Sequence, residues 1–503
     1  PQKQLQILGG SDTCLRITSS SNGVASLQLG DVDDTVKGAI TFKSDDNSLR
    51  IRGHNNDDRI IITSAGKAIF SEEIETPQDY PNVRPTLDFN FAATKKLDPR
   101  LEYERTGPAS FVNEFGKVVI VGGNTPRFDH NPTTRENKGL LIEEARTNQW
   151  LYSEDLVTYV ASNEMQQSTL TNTTATTNPT GGTNAVKMVA TATGGAHSFY
   201  KLFYSGSNGN THTASVWVKA AGVDYARIYV DTVGGNMGGP GVTFSTGNTW
   251  NVAANGTATQ TATSVVEYPN GWWRLSVSGS FSNQNAYYVH IDLEGGEGDV
   301  SFTGNGSDGM YVWGVQFEIG AFPTSYIPTN GSTATRGADI TLIDGEEFSE
   351  FYNPIESTIV VNYTHHDGVT TSNIGNQPRV YKFRAVGGAD TRIDYVSNTG
   401  FNPYIAKDGS AVASISHGQS TVFGGGSNRT AVRVKEDSFG VSFNGSAVVE
   451  DTSGAWNPTN TITEVSIGGQ STGSATNQLS GHIQRFIYYS TGLPNSQLKT
   501  LAS

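Results

Sequence analysis

The chain has one cysteine, Cys14, in 503 residues. An intrachain disulfide is therefore impossible, and no Cys-x-x-Cys or Cys/His zinc spacing can be assembled. Within Cys14-Leu15-Arg16-Ile17 this cysteine reads as a small, half-buried strand residue rather than a nucleophile. Charge is also sparse, at 16% of residues against about 25% in ordinary soluble domains, which excludes a Glu/Lys-rich helical rod. The 34 Lys+Arg against 48 Asp+Glu leave a net charge of −14. Phosphate backbones and anionic lipid surfaces would repel such a chain, so nucleic acid is not an expected partner. No apolar run reaches the roughly 18 residues of a membrane-spanning helix, so membrane insertion is not expected. The opening Pro1-Gln2-Lys3-Gln4 lacks an apolar h-region, and no Sec-type signal is expected.

Hydrophobic residues still make up 36% of the chain, beside 57 glycines, enough for cored domains and too many for wholesale disorder. Helical periodicity is scarce. Short alternating runs dominate, broken every ten or so residues by Gly, Asn, Asp, Ser or Thr, and this pattern predicts an all-β chain of sandwiches or barrels. No repeat of about 20–50 residues marks a solenoid or propeller. Four segments follow from composition. Residues 1–75 carry the strand-like pieces Val24–Leu29, Ala39–Lys43, Leu49–Arg52 and Arg59–Thr63 between acid-rich turns. Each strand has two or three residues for an inner face, so the core is thin and oligomerisation, as a homotrimer, is expected. No Asp-x-Asp-x-Asp-Gly loop with a distal Glu occurs, so these turns read as solvated rather than calcium-binding.

Residues 76–150 look like a connector punctuated by Pro77, Pro81, Pro85, Pro99 and Pro108. In 126–132 and 138–148 apolar residues sit between Arg127, Asp129, Glu143, Glu144 and Arg146, a composition that suits a buried clasp of Arg–carboxylate pairs. Residues 151–336 and 337–503 read as two further β-units, the last ending in a short helix-like tail, Pro494–Leu501.

Catalytic strings occur without their context. Gly469-Gln470-Ser471-Thr472-Gly473 fits G-x-S-x-G but lacks the helix of a nucleophile elbow. Gly304-Asn305-Gly306-Ser307-Asp308-Gly309 fits G-x-G-x-x-G but joins two strands. His365-His366-Asp367 alternates faces if extended. No cofactor or metal is expected. Glycoside hydrolysis needs two carboxylates about 5–10 Å apart. On a strand the local signal is a carboxylate pair at i and i+2, and Asp292-Leu293-Glu294 is the one clear case. One such pair is weak support, and the expectation is a protein that is not an enzyme.

A binding face is better supported. Alternation sends Val216, Val218, Ile228, Val230, Leu275, Val277, Val289 and Ile291 to one side. It sends Trp217, Tyr229, Arg274, Tyr288 and His290 to the other. Rings beside hydrogen-bonding tips suit a saccharide, whose C–H face lies on an aromatic ring while its hydroxyls seek polar partners. An interface with a neighbouring domain or subunit uses the same residue types, and both readings stay open.

Several segments resemble one family. Leu87–Ala92, Leu97–Arg100, Pro126–His130 and Gly139–Asn148 resemble a connector widespread in structural proteins of tailed bacteriophages, although Gln149-Trp150 here precede the usual Leu. Tyr311–Glu318 with Pro323–Thr329 resembles the closing strand of the carbohydrate-binding-like jelly roll that follows this connector. Leu29-Gly30-Asp31 through Arg52 is similar to tail-fibre segments of aquatic phages. Ser438–Gly445, Leu479–Ile483 and Leu493–Leu498 resemble a concanavalin A-like, laminin-G-like sandwich. The resemblance implies a virion protein assembled in the host cytoplasm, attached to other virion proteins through its N-terminal unit. It implies distal sandwiches that meet host cell-surface polysaccharide, as a tail fibre. A polysaccharide depolymerase tailspike and a capsid-mounted decoration protein are the alternatives. No catalytic residue and no calcium loop carry over.

Overall fold

The computed structural model describes residues 17–29, 38–53, 57–70, 83–204, 210–282, 286–366, 369, 378–387, 390–396, 402–415, 426–457, 461–470 and 477–503. Cys14, Asp367 and Ser471–Gly473 lie outside the described residues. The chain is all-β, built from antiparallel strands with short helical turns, and forms two compact units, residues 1–79 and 80–503.

The first unit holds a five-stranded meander in chain order: Val24–Leu29, Gly38–Lys43, Ser48–Arg52, Asp58–Ile62 and Ala68–Phe70. Its acid-rich turn at 44–47 is a backbone device. Asn47 takes a left-handed φ of 53°, which Asn tolerates, and the Asp46 carboxylate accepts the Ser48 N–H at 3.0 Å.

In the second unit, residues 151–336 form a sandwich. A six-stranded sheet includes Ala185–Ala190, Gly309–Ile319, His212–Ala221 and Trp272–Phe281. The facing sheet is centred on Gly194–Tyr204, Ala286–Glu294 and Tyr225–Thr232. Val216, Val218, Leu275, Val277 and Val312 from the first sheet pack on Phe199, Ile228, Val230, Val289 and Ile291 from the second. The alternation predicted for these strands is the alternation found.

The C-terminal sandwich does not begin at residue 337. Leu87–Phe89 and Asn137–Ile142 both pair with Gly481–Tyr489, and Phe128–His130 extends that sheet. Glu102–Glu104 pairs with Ile340–Asp344 in the facing sheet. Leu87, Phe89, Leu140 and Ile142 thereby share one core with Ile359, Val432, Phe486 and Tyr488. From residue 83 onward much of the stretch expected as a connector is thus woven into the last domain, through short strands at 87–89, 102–104 and 137–142 whose partners lie hundreds of residues away. The expected tail is a helix, Asn495–Leu501, seated through Leu498 and Leu501 on Val360, Ala431 and Ile487.

Where the two sandwiches meet this stretch, the charged residues close into a buried cluster. Arg127 donates to Glu143 Oε2 at 2.7 Å, Asp339 Oδ2 at 2.5 Å, Ser325 Oγ at 2.8 Å and the Ser110 carbonyl at 3.0 Å. Arg336 lies 3.1 Å from the same Glu143 oxygen and donates to the Glu144 carbonyl at 2.6 Å. Asp339 accepts the Glu143 N–H at 2.7 Å and a bond from the Tyr103 hydroxyl. Burial alone would raise the Glu143 carboxyl, but Arg336 and Arg127 beside it hold it well below its ordinary value. A carboxyl with a depressed pKa adds stability above its unfolded pKa of about 4.3, and that stability is lost as pH falls. Arg127→Leu leaves Glu143 and Asp339 short of a buried cation. It should lower unfolding stability by about 3–5 kcal/mol in denaturant titration. A change below about 1 kcal/mol would show that the cluster is not a structural tie.

Candidate functional site

The two sheets of the first sandwich have two outer faces, and the five predicted saccharide residues divide between them. Trp217 and Arg274 lie on the outer face of the six-stranded sheet, but neither meets solvent; Trp217 is 1% exposed. The hairpin Ala109–Val112/Val118–Val121 covers them, and Val112 and Val118 pack with Trp217, Trp272, Trp313 and Tyr326. The Trp217 ring meets Trp313 and Tyr326 at 5.4 Å each. The Arg274 guanidinium stacks 4.4 Å over Trp217 and donates to the Thr324 carbonyl at 2.8 Å. Gly314 makes room for the indole: its φ is 65°, and a Cβ there would sit 2.8 Å from the ring. Trp217 and Arg274 are therefore corrected to an internal interface. A sheet face bearing three tryptophans needs a second layer, and the connector supplies it.

Tyr229, Tyr288 and His290 lie on the outer face of the opposite sheet. Register sets Tyr200, His290 and Tyr229 directly opposite one another on three adjacent strands. Their rings stack as a ladder, Tyr229 on His290 at 4.5 Å and 9°, and His290 on Tyr200 at 5.0 Å and 28°. The Arg227 guanidinium lies 4.6 Å from the Tyr229 ring centre. Tyr288 meets Tyr200 edge-on at 5.9 Å. Both faces of His290 are thus taken, by Tyr229 and Tyr200, so a pyranose cannot lie flat on that ring.

Charged groups frame the ladder. Arg227 lies 3.3 Å from Asp292 and 2.9 Å from Glu294, and Asp231 lies 3.2 Å from His290 Nε2. Asp292 and Glu294 share a face, as their i, i+2 spacing predicts, but they share a single guanidinium too. The loop after them folds back, so that the Gly298 N–H donates to Glu294 at 2.9 Å. Burial pushes the Asp292 carboxyl up to about 6, against the pull of His290 and Arg227. It pushes Glu294 up to about 7, against Arg227. Tyr200, absent from the predicted set, completes the ladder. Its signal was the pair Phe199 and Phe203, whose inward alternation turns Tyr200 out.

Other candidates have less to offer chemically. Thr364 Oγ1, His482 and Asp129 line up hydroxyl to imidazole to carboxylate at 3.2 and 2.9 Å. All three are buried, and the adjoining hollow of about 70 Å³ reaches Asp129 but not Thr364. His365 is buried, and burial lowers its imidazole pKa to about 4. Gly304–Gly309 joins two strands, as expected. Among the described residues no group of three His, Cys, Asp or Glu is placed to hold a metal ion. An open hollow of about 830 Å³ at one end of the sandwich is lined by Glu154, Asn172, Asn184 and Asn330, with hydroxyls but no ring.

No family model and no curated protein matches the sequence. Among solved structures the chain is similar to the CBM40 module of a Ruminococcus gnavus IT-sialidase, at 16% identity over 31% of this chain and 88% of that one, with a TM-score of 0.26. A variant NanB sialidase of Streptococcus pneumoniae aligns at 13% identity over 32% of this chain and 26% of its own, with a TM-score of 0.26. Trypanosoma rangeli sialidase in complex with sialic acid aligns at 11% identity over 63% and 58%, with a TM-score of 0.25. Likenesses this distant assign neither family nor ligand.

The acid pair gives this face a pH signature. Carboxyls whose folded pKa is raised add stability below their unfolded values of about 3.9–4.3. That contribution is lost as pH rises through the folded values of about 6 and about 7. Asp292→Asn with Glu294→Gln should therefore flatten the fall in melting temperature between about pH 4 and pH 7. An unchanged slope would show that the pair is not buried in this way.

Proposed function

We propose that this chain is a structural appendage protein of a tailed-bacteriophage particle, a tail fibre that binds host cell-surface glycan and is not an enzyme. The virion part of the reading rests on the connector, jelly-roll and laminin-G-like sequence signatures. Attachment to other virion proteins through the N-terminal unit rests on the same resemblance, and assembly as a homotrimer rests on the thin core of that unit.

The glycan part rests on one observation. The ladder face carries Tyr229, Tyr288, Asp231 and Arg227 already held in place by mutual stacking and ion pairing. Groups fixed before a ligand arrives lose little freedom on binding. Because both faces of the His290 ring are occupied, recognition there runs through hydrogen bonds to saccharide hydroxyls rather than through stacking on that ring. The Asp292–Glu294 pair, with both acids raised, is the feature that favours depolymerase chemistry as a second reading. Against it, the two carboxyls converge on one arginine under a folded-back loop instead of flanking a cleft.

Labelled protein should stain host cells and block phage adsorption. Tyr288→Ala should weaken staining about tenfold with its melting temperature unaltered. Staining unchanged by Tyr288→Ala would remove this face from the proposal. Release of reducing ends from host capsule or lipopolysaccharide would replace binding with hydrolysis.

A further inference from the structure

We infer that the apolar face of the N-terminal sheet packs against the same face of further copies of this chain. Directly opposed residues of antiparallel strands share a face. One row across this sheet is Leu27, Ile40, Ile51 and Ile60, and the next is Ala25, Phe42, Leu49 and Ile62. No polar or charged side chain interrupts either row. The other face carries the charge: Arg50 is paired with Asp46 and Asp58, and Arg52 lies 2.7 Å from Asp58. Ile61, opposite Arg50, is an aliphatic residue on that ionic side, while no charged side chain lies in the two apolar rows.

A sheet with one apolar face needs a second layer over it, and none is present among the described residues of this unit. Leu27, Ile40, Phe42, Leu49, Ile51 and Ile62 are each between 37% and 46% exposed. With Ala25 and Ile60 they form one unbroken apolar patch, and contiguous exposed apolar patches mark association surfaces.

The chemistry selects a copy of this chain as occupant. The face offers no charge or hydrogen-bonding group with which to recognise a different protein, and interfaces between identical subunits are the most apolar class. Such a sheet also needs its cover as it folds, when other copies of the same chain are at hand. Closed symmetry then buries each face and leaves the ionic side outward. This inference deepens the assembly part of the reading above and does not depend on glycan binding.

Sedimentation equilibrium of the full chain tests it. Wild type should run at a multiple of the monomer mass across the micromolar range, with a melting temperature that rises with protein concentration. Ile40→Lys with Ile51→Lys should raise the dissociation concentration more than about tenfold, while Gln28→Lys on the opposite face should not. Should the double variant fail to fold, the concentration dependence of wild-type melting still decides. A monomeric wild type with concentration-independent melting would overturn the inference. So would an oligomer indifferent to the two lysines, or association only when another virion protein is added. Mass is read separately from cell staining, so failure of glycan binding and failure of this interface are distinguishable.

Discussion

The arrangement of residues 80–503 depends on Arg127 and the charges gathered around it. Glu143 comes from the woven segment, Arg336 and Asp339 from the passage between sandwiches, and Tyr103 from a strand of the last domain. Removing these ions from water carries a large desolvation cost, and mutual attraction offsets it only when the geometry is good and the remaining lone pairs are bonded. Here Ser325 donates its N–H and hydroxyl to Glu143, at 2.7 and 2.6 Å. The Nε atoms of Arg127 and Arg336 stay unpaired, but a network bonded this densely at its other charged atoms tolerates little displacement, because a shift strands a buried charge. It fixes how the woven stretch lies across both sandwiches, and with that which outer face is covered.

Much of this was legible in the sequence. Strands Val24–Leu29, Phe439–Phe443, Glu464–Ile467 and Gly481–Tyr489 fall where alternation puts them. The inward set, Val216, Val218, Leu275 and Val277, is the core. Arg127 pairs with Glu143 and Arg146 with Glu144, as their composition suits, whereas Asp129 faces His482 instead. What period-two patterning cannot supply is what lies over an outward side chain. Trp217 points away from the core as expected, but it is covered by Val112 and Val118, about a hundred residues earlier. The pairing of Leu87–Phe89 with Gly481–Tyr489 is equally non-local. Stacking of Tyr229 on His290 depends on register between strands, which alternation within one strand leaves open.

One constraint recurs along the chain: a β-sheet face is finished only when something suitable lies on it. The tryptophan-bearing face of the first sandwich is finished internally by a hairpin. The ladder face is finished partly by itself, through rings that shield each other and leave polar edges outward. The N-terminal sheet is finished on its ionic side and bare on its apolar side. The proposed glycan binding and the inferred self-assembly concern two surfaces of opposite chemistry, one aromatic and charged, the other aliphatic.

Scanning calorimetry of the full chain beside Arg127→Leu tests most directly whether the buried cluster makes residues 80–503 one body. If it does, both sandwiches melt in a single transition in the wild type, and the substitution moves that whole transition down. Two separate wild-type transitions, with only one displaced by the substitution, would contradict it.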